Sequence, residues 1–302
     1  VCCLCNRKSL LHLGIHTSIA GSLANAASRA AALGANTLQI FTASPRTWRA
    51  TPFDPQQAQE FRSVCKRLHL SPVVVHDNYL INLASPDPAL RKRSIQAFRD
   101  ELIRSMTLEA DFVVFHPGSC KGQSIETGIR TVSDSLVTAS RDLKSERLSL
   151  LLENTAGSGS SLGSRFEELA QIRAGISGKV GFAVGYCLDT AHCLAAGYDI
   201  STSKGLSITL DEADRYLDLE NVKVIHANDS KTPIGSHVDR HEHIGRGYIG
   251  IQGFRRILQH PRLWNKVFIL ETPMDREGDD RRNLQKLIQL CRKSHTTITR
   301  LS

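Results

Sequence analysis

Phe112-Val113-Val114-Phe115-His116-Pro117-Gly118 is a run of aromatic and β-branched residues that ends on a histidine and is broken at once by proline and glycine. Such a short apolar run bounded by turn residues suits a strand buried on both faces, and the histidine falls where that strand leaves the core. The same shape recurs along the chain in GIHTS, VVVHD, LLLENT, YCLDTAH, KVIHAND and FILETP, each an apolar run ending in a residue able to hold a metal or a proton. The spacing predicts strands over 13–18, 37–42, 73–77, 112–116, 148–154, 184–189, 222–228 and 267–271. Apolar residues at helical spacing lie between them, over 23–33, 56–68, 89–108, 166–172 and 284–290. Strand then helix, repeated, implies parallel strands, and eight of them imply a single-domain α/β (β/α)8 TIM barrel. In that fold the C-terminal strand ends meet on one face, so the polar ends of separate segments converge on one pocket.

The 302 residues suffice for one such barrel, and a composition of 41% hydrophobic and 23% charged residues supplies a core without any sign of global disorder. A formal charge of +8 favours an anionic partner such as nucleic acid. The basic residues are scattered, so a binding face must be assembled by the fold rather than by a tail. Of eight cysteines, Cys65, Cys120, Cys187, Cys193 and Cys291 lack the close pairing of a zinc ribbon, and a reducing compartment is expected. Cys2, Cys3 and Cys5 crowd a start that lacks Met. Residues 1–10 and 296–302 are expected to be tails flanking a domain over 11–295. No apolar run approaches the ~20 residues of a membrane span, and no secretory leader is evident. The glycine-rich stretches 157–163 and 245–250 match no phosphate loop and read as loops around the barrel mouth.

A single histidine among the 12 is more often a satisfied core or surface residue than a ligand. The group argues differently. His76, His116, Glu153, Asp189, His226 and Glu271 all sit at strand ends, and His192 follows Asp189 by one helical turn. Leaving them together without a partner would cost ~1–3 kcal/mol per unsatisfied group, which divalent metal would relieve. Mixed imidazole and carboxylate donors suit zinc best, with manganese or iron able to take some sites. Asp239 and His241 add a carboxylate and an imidazole to one side of an extended loop.

These residues resemble endonuclease IV, the zinc-dependent apurinic/apyrimidinic endonucleases, over nearly the whole chain. The resemblance is carried by HDNYLINLASPD from His76, FHPGS from Phe115, LENTAG from Leu152, CLDTAHCLAAGYD from Cys187, HANDSKTPIGSHVDRHEHIG from His226 and LETP from Leu270. It implies three zinc ions: one on His76, His116 and Glu153; a second on Glu153, Asp189, His226 and Glu271; a third on His192, Asp239 and His241. Glu153 would bridge the first two as the central catalytic residue, with zinc-activated water as nucleophile. His16 fits the pattern as a packing or orienting residue, and His241 ranks above His243 as a ligand.

The implied reaction is a DNA-repair hydrolysis of the phosphodiester bond 5′ to an abasic site in double-stranded DNA, leaving a 3′ hydroxyl and a 5′ deoxyribose phosphate. Arg46, Tyr79 and Leu80 would enter the DNA, although Ser44-Pro45-Arg46-Thr47-Trp48 departs from the family's usual Asn-Gln-Arg-Gln-Trp. A monomer is expected, in a bacterial cytoplasm or a eukaryotic nucleus or mitochondrion. Two other readings compete: a divalent-metal sugar isomerase or epimerase barrel, and a DNA-binding relative without catalysis. Histidine-rich ligands and basic charge count against the first, and the complete ligand set against the second.

Overall fold

The structure is a computed structural model that describes residues 11–45, 47–48 and 54–291. The tails expected at 1–10 and 296–302, with Cys2, Cys3 and Cys5, and Arg46 lie outside the described residues. In chain order the elements are β1 (His12–His16), α1 (Leu23–Leu33), β2 (Thr37–Phe41), α2 (Pro55–Arg67), β3 (Val73–His76), α3 (Pro88–Thr107), β4 (Phe112–Phe115), α4 (Ile125–Ala139) and β5 (Lys144–Glu153). They continue as α5 (Phe166–Ile176), β6 (Gly181–Asp189), α6 (Thr190–Ala196), α7 (Ser203–Leu217), β7 (Val222–His226), β8 (Asp229–Ser230), β9 (His241–Glu242), α8 (Gly250–Gln259), β10 (Val267–Leu270) and α9 (Asp279–Cys291).

Eight parallel strands close in the order β1-β10-β7-β6-β5-β4-β3-β2, which is the barrel expected from the sequence. β8 and β9 form a separate antiparallel pair in the connection after β7. All the predicted strands and helices are present. α4, α6, α7 and α8 lie outside the helices expected from spacing, because stretches such as Ile125-Glu126-Thr127-Gly128-Ile129 mix glycine and β-branched residues that dilute a helical signal. β5 and β6 begin earlier than expected, at Lys144 and Gly181, and their pairing shifts register between Lys144 and Ser149.

Helix starts follow local chemistry. Asp54 and Asp87 accept backbone amides at the heads of α2 and α3, and a proline opens each helix where no donor is needed. The strands then sort their side chains by period two. Val74, Val114, Leu151, Cys187, Val224, Val267 and Ile269 fill the barrel interior, while neighbours such as Val75, Val113, Leu152 and Phe268 pack outward with the helices.

Candidate metal centre

Two residues beyond an inward apolar side chain, the strand points inward again. Val74 leads to His76, Val114 to His116, Leu151 to Glu153, Cys187 to Asp189, Val224 to His226 and Ile269 to Glu271. The alternation that fills the barrel thus stacks a layer of donors on its apolar plug.

Glu153 lies at the centre of that layer. Its Oε2 is 3.0 Å from His76 Nε2 and 3.4 Å from His116 Nε2. Its Oε1 is 2.9 Å from His226 Nδ1 and 3.5 Å from His192 Nδ1. His226 Nδ1 is also 3.2 Å from Glu271 Oε2. Nearer the rim, Asp239 stands between two imidazoles, 3.2 Å from His192 Nε2 and 3.4 Å from His241 Nε2.

Donor atoms of His76, His116 and Glu153 fall within 4.8 Å of one another, as do those of Glu153, Asp189, His226 and Glu271. These two groups coincide with the sets implied by resemblance. A third group joins Asp189, His192 and His241, with Asp189 Oδ2 lying 3.6 Å from His241 Nε2. Asp239 reaches the same two histidines from the solvent side. All nine expected ligands therefore meet at one mouth, over a cleft of about 390 Å³. An adjoining hollow of about 320 Å³ is lined by Asn82, Ser119 and Thr155 together with Asp77, His116, His192 and Asp239.

Burial would hold these imidazoles neutral, but the carboxylates beside them reverse the balance for several. Burial lowers the His76 pKa, and Glu153, with Glu271 and Asp77, more than offsets it, bringing the imidazole to about 10. His226 and His192 also rise against burial, through Glu271 and Glu153 for the first and through Asp189 and Asp239 for the second. Glu153 and Glu271 stay well below the usual carboxylate range despite burial, chiefly through His226. His116 is lowered, because burial prevails there.

The hydrogen bonds around the rings test whether a metal fits. Nδ1 of His76, His192 and His241 lies 2.9, 2.9 and 3.1 Å from the carbonyls of Asp77, Asn154 and Glu271. Donation there leaves each Nε2 as a lone pair turned into the site. His226 is reversed, with Nε2 2.8 Å from Gln39 Oε1 and Nδ1 facing the two carboxylates. Lone pairs facing carboxylates need a proton or a cation between them. His241 Nε2 is buried without a hydrogen-bond partner. This donor set fits zinc, whose histidine ligands are oriented by a hydrogen bond from the other ring nitrogen.

Sequence reasoning missed the groups that do the orienting. Gln39 of β2 joins His226 to Glu271, donating to Glu271 Oε1 at 2.5 Å. The Asn154 side chain accepts from the Asp189 amide at 2.6 Å, and Asn228 donates to Asp189 Oδ2 at 2.6 Å. Asp189 also caps α6 by accepting from the His192 amide at 2.8 Å, which fixes one donor relative to another. Cys187 groups with Glu153 and His226 at the floor. The recurrence of Asn after a strand-end acid or histidine was the available signal.

Other expected residues fall as follows. His16 Nδ1 lies 3.2 Å from Glu271 Oε1 and 2.9 Å from Gln39 Nε2, an orienting position. His243 turns away to Asp275 and Asn283. Tyr79 stands at the rim, 66% exposed, with its ring 5.2 Å from Phe41, and Leu80 is half-buried beside it.

A family model described as "Xylose isomerase-like TIM barrel" matches residues 27–294. The chain is 54% identical over 281 residues to a probable endonuclease 4 of Solibacter usitatus, covering 93% of this chain and 97% of that protein. Its structure superposes on endonuclease IV from Thermus thermophilus with a TM-score of 0.81 at 38% identity, covering 92% of this chain and 98% of that one. A D-tagatose 3-epimerase-like protein gives a TM-score of 0.66 at 18% identity, over 92% of this chain and 98% of its own. That likeness, at under a quarter of identical residues, is one of fold alone. Sequence identity over nearly the full length, a superposable barrel and a shared-carboxylate mouth together place the chain in the endonuclease IV family.

Proposed function

We propose that this chain hydrolyses the phosphodiester bond 5′ to an abasic site in double-stranded DNA, leaving a 3′ hydroxyl and a 5′ deoxyribose phosphate, with three zinc ions held at the barrel mouth. The observation that carries the reading is the Glu153 carboxylate shared among His76, His116 and His226, three imidazoles from three other strands, in a chain of this family. His76, His116 and Glu153 are assigned to one ion, Glu153, Asp189, His226 and Glu271 to a second, and His192, Asp239 and His241 to the third.

Zinc, when bound, supplies a Lewis acid that lowers the pKa of water to ~7 and offsets charge developing on phosphoryl oxygens. The chain's own residues supply geometry. Glu153 holds two ligand sets at a fixed spacing, and Gln39 and the backbone carbonyls fix the ring tautomers. The donors lie too deep for a bond in an intact duplex, so the sugar must rotate outward. That costs a few kcal/mol, and least where the base is already missing. Tyr79, Leu80 and Arg46 are assigned to the DNA, the first two as wedges at the rim. The net charge of +8 favours the duplex, and the protein is assigned as a monomer.

The test is incubation of zinc-replete protein with a duplex carrying one tetrahydrofuran abasic analogue, with product ends identified by sizing and ligation. Cleavage on the 5′ side leaving a ligatable 3′ hydroxyl is expected, and Glu153→Ala should abolish it while duplex binding persists. An uncut duplex, or full activity in Glu153→Ala, rejects the reading. Elemental analysis near three zinc per chain supports the metal assignment, and fewer than two rejects it.

A further inference from the structure

The loop after β3 borders the cleft through Tyr79, and one side chain joins it to the described part of the loop after β2. Asn78 Nδ2 donates to the Thr47 carbonyl at 2.7 Å and to the Ser44 carbonyl at 3.4 Å. Its Oδ1 accepts from the Leu80 amide at 2.8 Å, and its own carbonyl accepts from the Ile81 amide at 3.0 Å. The amide side chain therefore shapes the turn that presents Tyr79 and grips the neighbouring loop with its other end.

The grip falls on a segment already closed on itself. The Thr47 amide and hydroxyl return to the Ser44 carbonyl at 3.3 and 3.2 Å. Its root is fixed independently, since the Arg104 Nε donates to Thr42 Oγ1 at 2.7 Å while Arg104 is ion-paired to buried Glu101 at 2.6 Å. Arg93 of α3 lies 5.8 Å above the Trp48 ring, a link from the loop after β2 to the helix that follows the loop after β3. Tyr79 is exposed and lines the cleft beside the donors, while Trp48, on the loop joined to it, is half-buried.

We propose that Asn78 is a positioning residue that fastens Ser44 and Thr47, on the loop after β2, to the Tyr79 loop, so that both meet DNA as one preassembled edge. The inference rests on abasic DNA being the substrate. Preassembly lowers the ordering cost of binding rather than the chemical barrier, so its loss acts on KM.

The experiment compares wild type, Asn78→Ala and Asn78→Ser, each zinc-replete, on the tetrahydrofuran duplex, with KM and kcat measured separately and thermal midpoints recorded. Serine can still accept from the Leu80 amide but is too short to reach Thr47, so it keeps the turn and cuts only the bridge. In both variants KM should rise about tenfold, the equivalent of one hydrogen-bonded bridge, with kcat falling less than about threefold. KM within twofold of wild type in Asn78→Ser overturns the inference while leaving the proposed function standing. A loss confined to kcat, or one that tracks a fallen thermal midpoint, also overturns it. Absence of cleavage by wild type removes the proposed function and this inference together.

Discussion

His226 places Nδ1 2.9 Å from Glu153 Oε1, while Gln39 holds the opposite ring nitrogen at 2.8 Å. The tautomer that faces the carboxylates is thus chosen on another strand. Gln39→Leu fills similar volume but withdraws both the acceptor for His226 and the donor for Glu271. Zinc affinity should fall about 10- to 100-fold, as when hydrogen-bonded supports of metal ligands are lost. Competition against a chromophoric chelator measures it, and an unchanged affinity would remove Gln39 from the account.

Metal removal should destabilise the whole barrel. The donors come from six strands and the rim, and without cations they face one another as closely packed carboxylates and imidazoles in a buried layer. A ligand present at 100-fold over its Kd contributes ~2.7 kcal/mol. Dialysis against a strong chelator should lower the thermal midpoint by several degrees, and zinc should restore it. Equal midpoints with and without chelator contradict the assignment of metal to this layer.

Asp229 is buried, and its carboxylate accepts amides of Ser230, Gly245, Gly247 and Ile249 at 2.8–3.0 Å, with Gly250 more distant. It gathers the loop before α8 around one charge, and a Cβ on Gly247 would come within 2.2 Å of the Ser230 carbonyl. Asp229→Asn replaces one acceptor with a second set of donors, at a cost of ~2 kcal/mol or more. Hydrogen exchange should quicken at the amides of Gly245, Gly247 and Ile249 before it changes in β1 to β6. Uniform protection in the variant would show that the loop is held by other means.

Cys65 lies far from the mouth, and burial followed by the charge of Asp111 pushes its thiol up to about 12. The unfolded thiol ionises near its ordinary ~8.5. Between these values the unfolded chain has lost a proton that the folded chain retains, so stability falls as pH rises. The slope from this group is ~1.4 kcal/mol per pH unit, and it vanishes below pH ~8. The difference in unfolding free energy between wild type and Cys65→Ala should therefore shift against wild type from pH 9 to 11. A constant difference over that range would contradict the buried thiol.

The barrel and its ligand layer were legible because both arise from the same period of two. An apolar run that ends on a histidine or acid declares a strand and a donor at once, as in Val113 to His116. Asp239 and His241 have no strand beneath them in the sequence, and resemblance was needed to choose His241 over His243. Gln39 was invisible because a glutamine within Thr37-Leu38-Gln39-Ile40-Phe41 reads as an ordinary polar position until the opposite strands are in register. Asn78 was hidden for a related reason: its partners are backbone carbonyls of another loop, and carbonyls have no sequence signature. α4 and α7 carry serine, threonine and glycine that weaken the helical pattern, and their packing against neighbouring helices supplies what propensity does not.

Four donors stand within barrel strands, whose register is locked by hydrogen bonds on both sides, and His116 and Glu271 follow directly after β4 and β10, whereas His192 stands on α6 and Asp239 and His241 in the connection between β7 and α8. The loops meet the strand-end donors chiefly through the few groups that orient them, the Asp77 carbonyl and the side chains of Asn154 and Asn228. The outermost donor group has no such insulation, because the segment that carries it also forms part of the rim. Reshaping this rim would move Asp239 and His241 against His192, so the outermost donor group and the edge of the cleft can only change together.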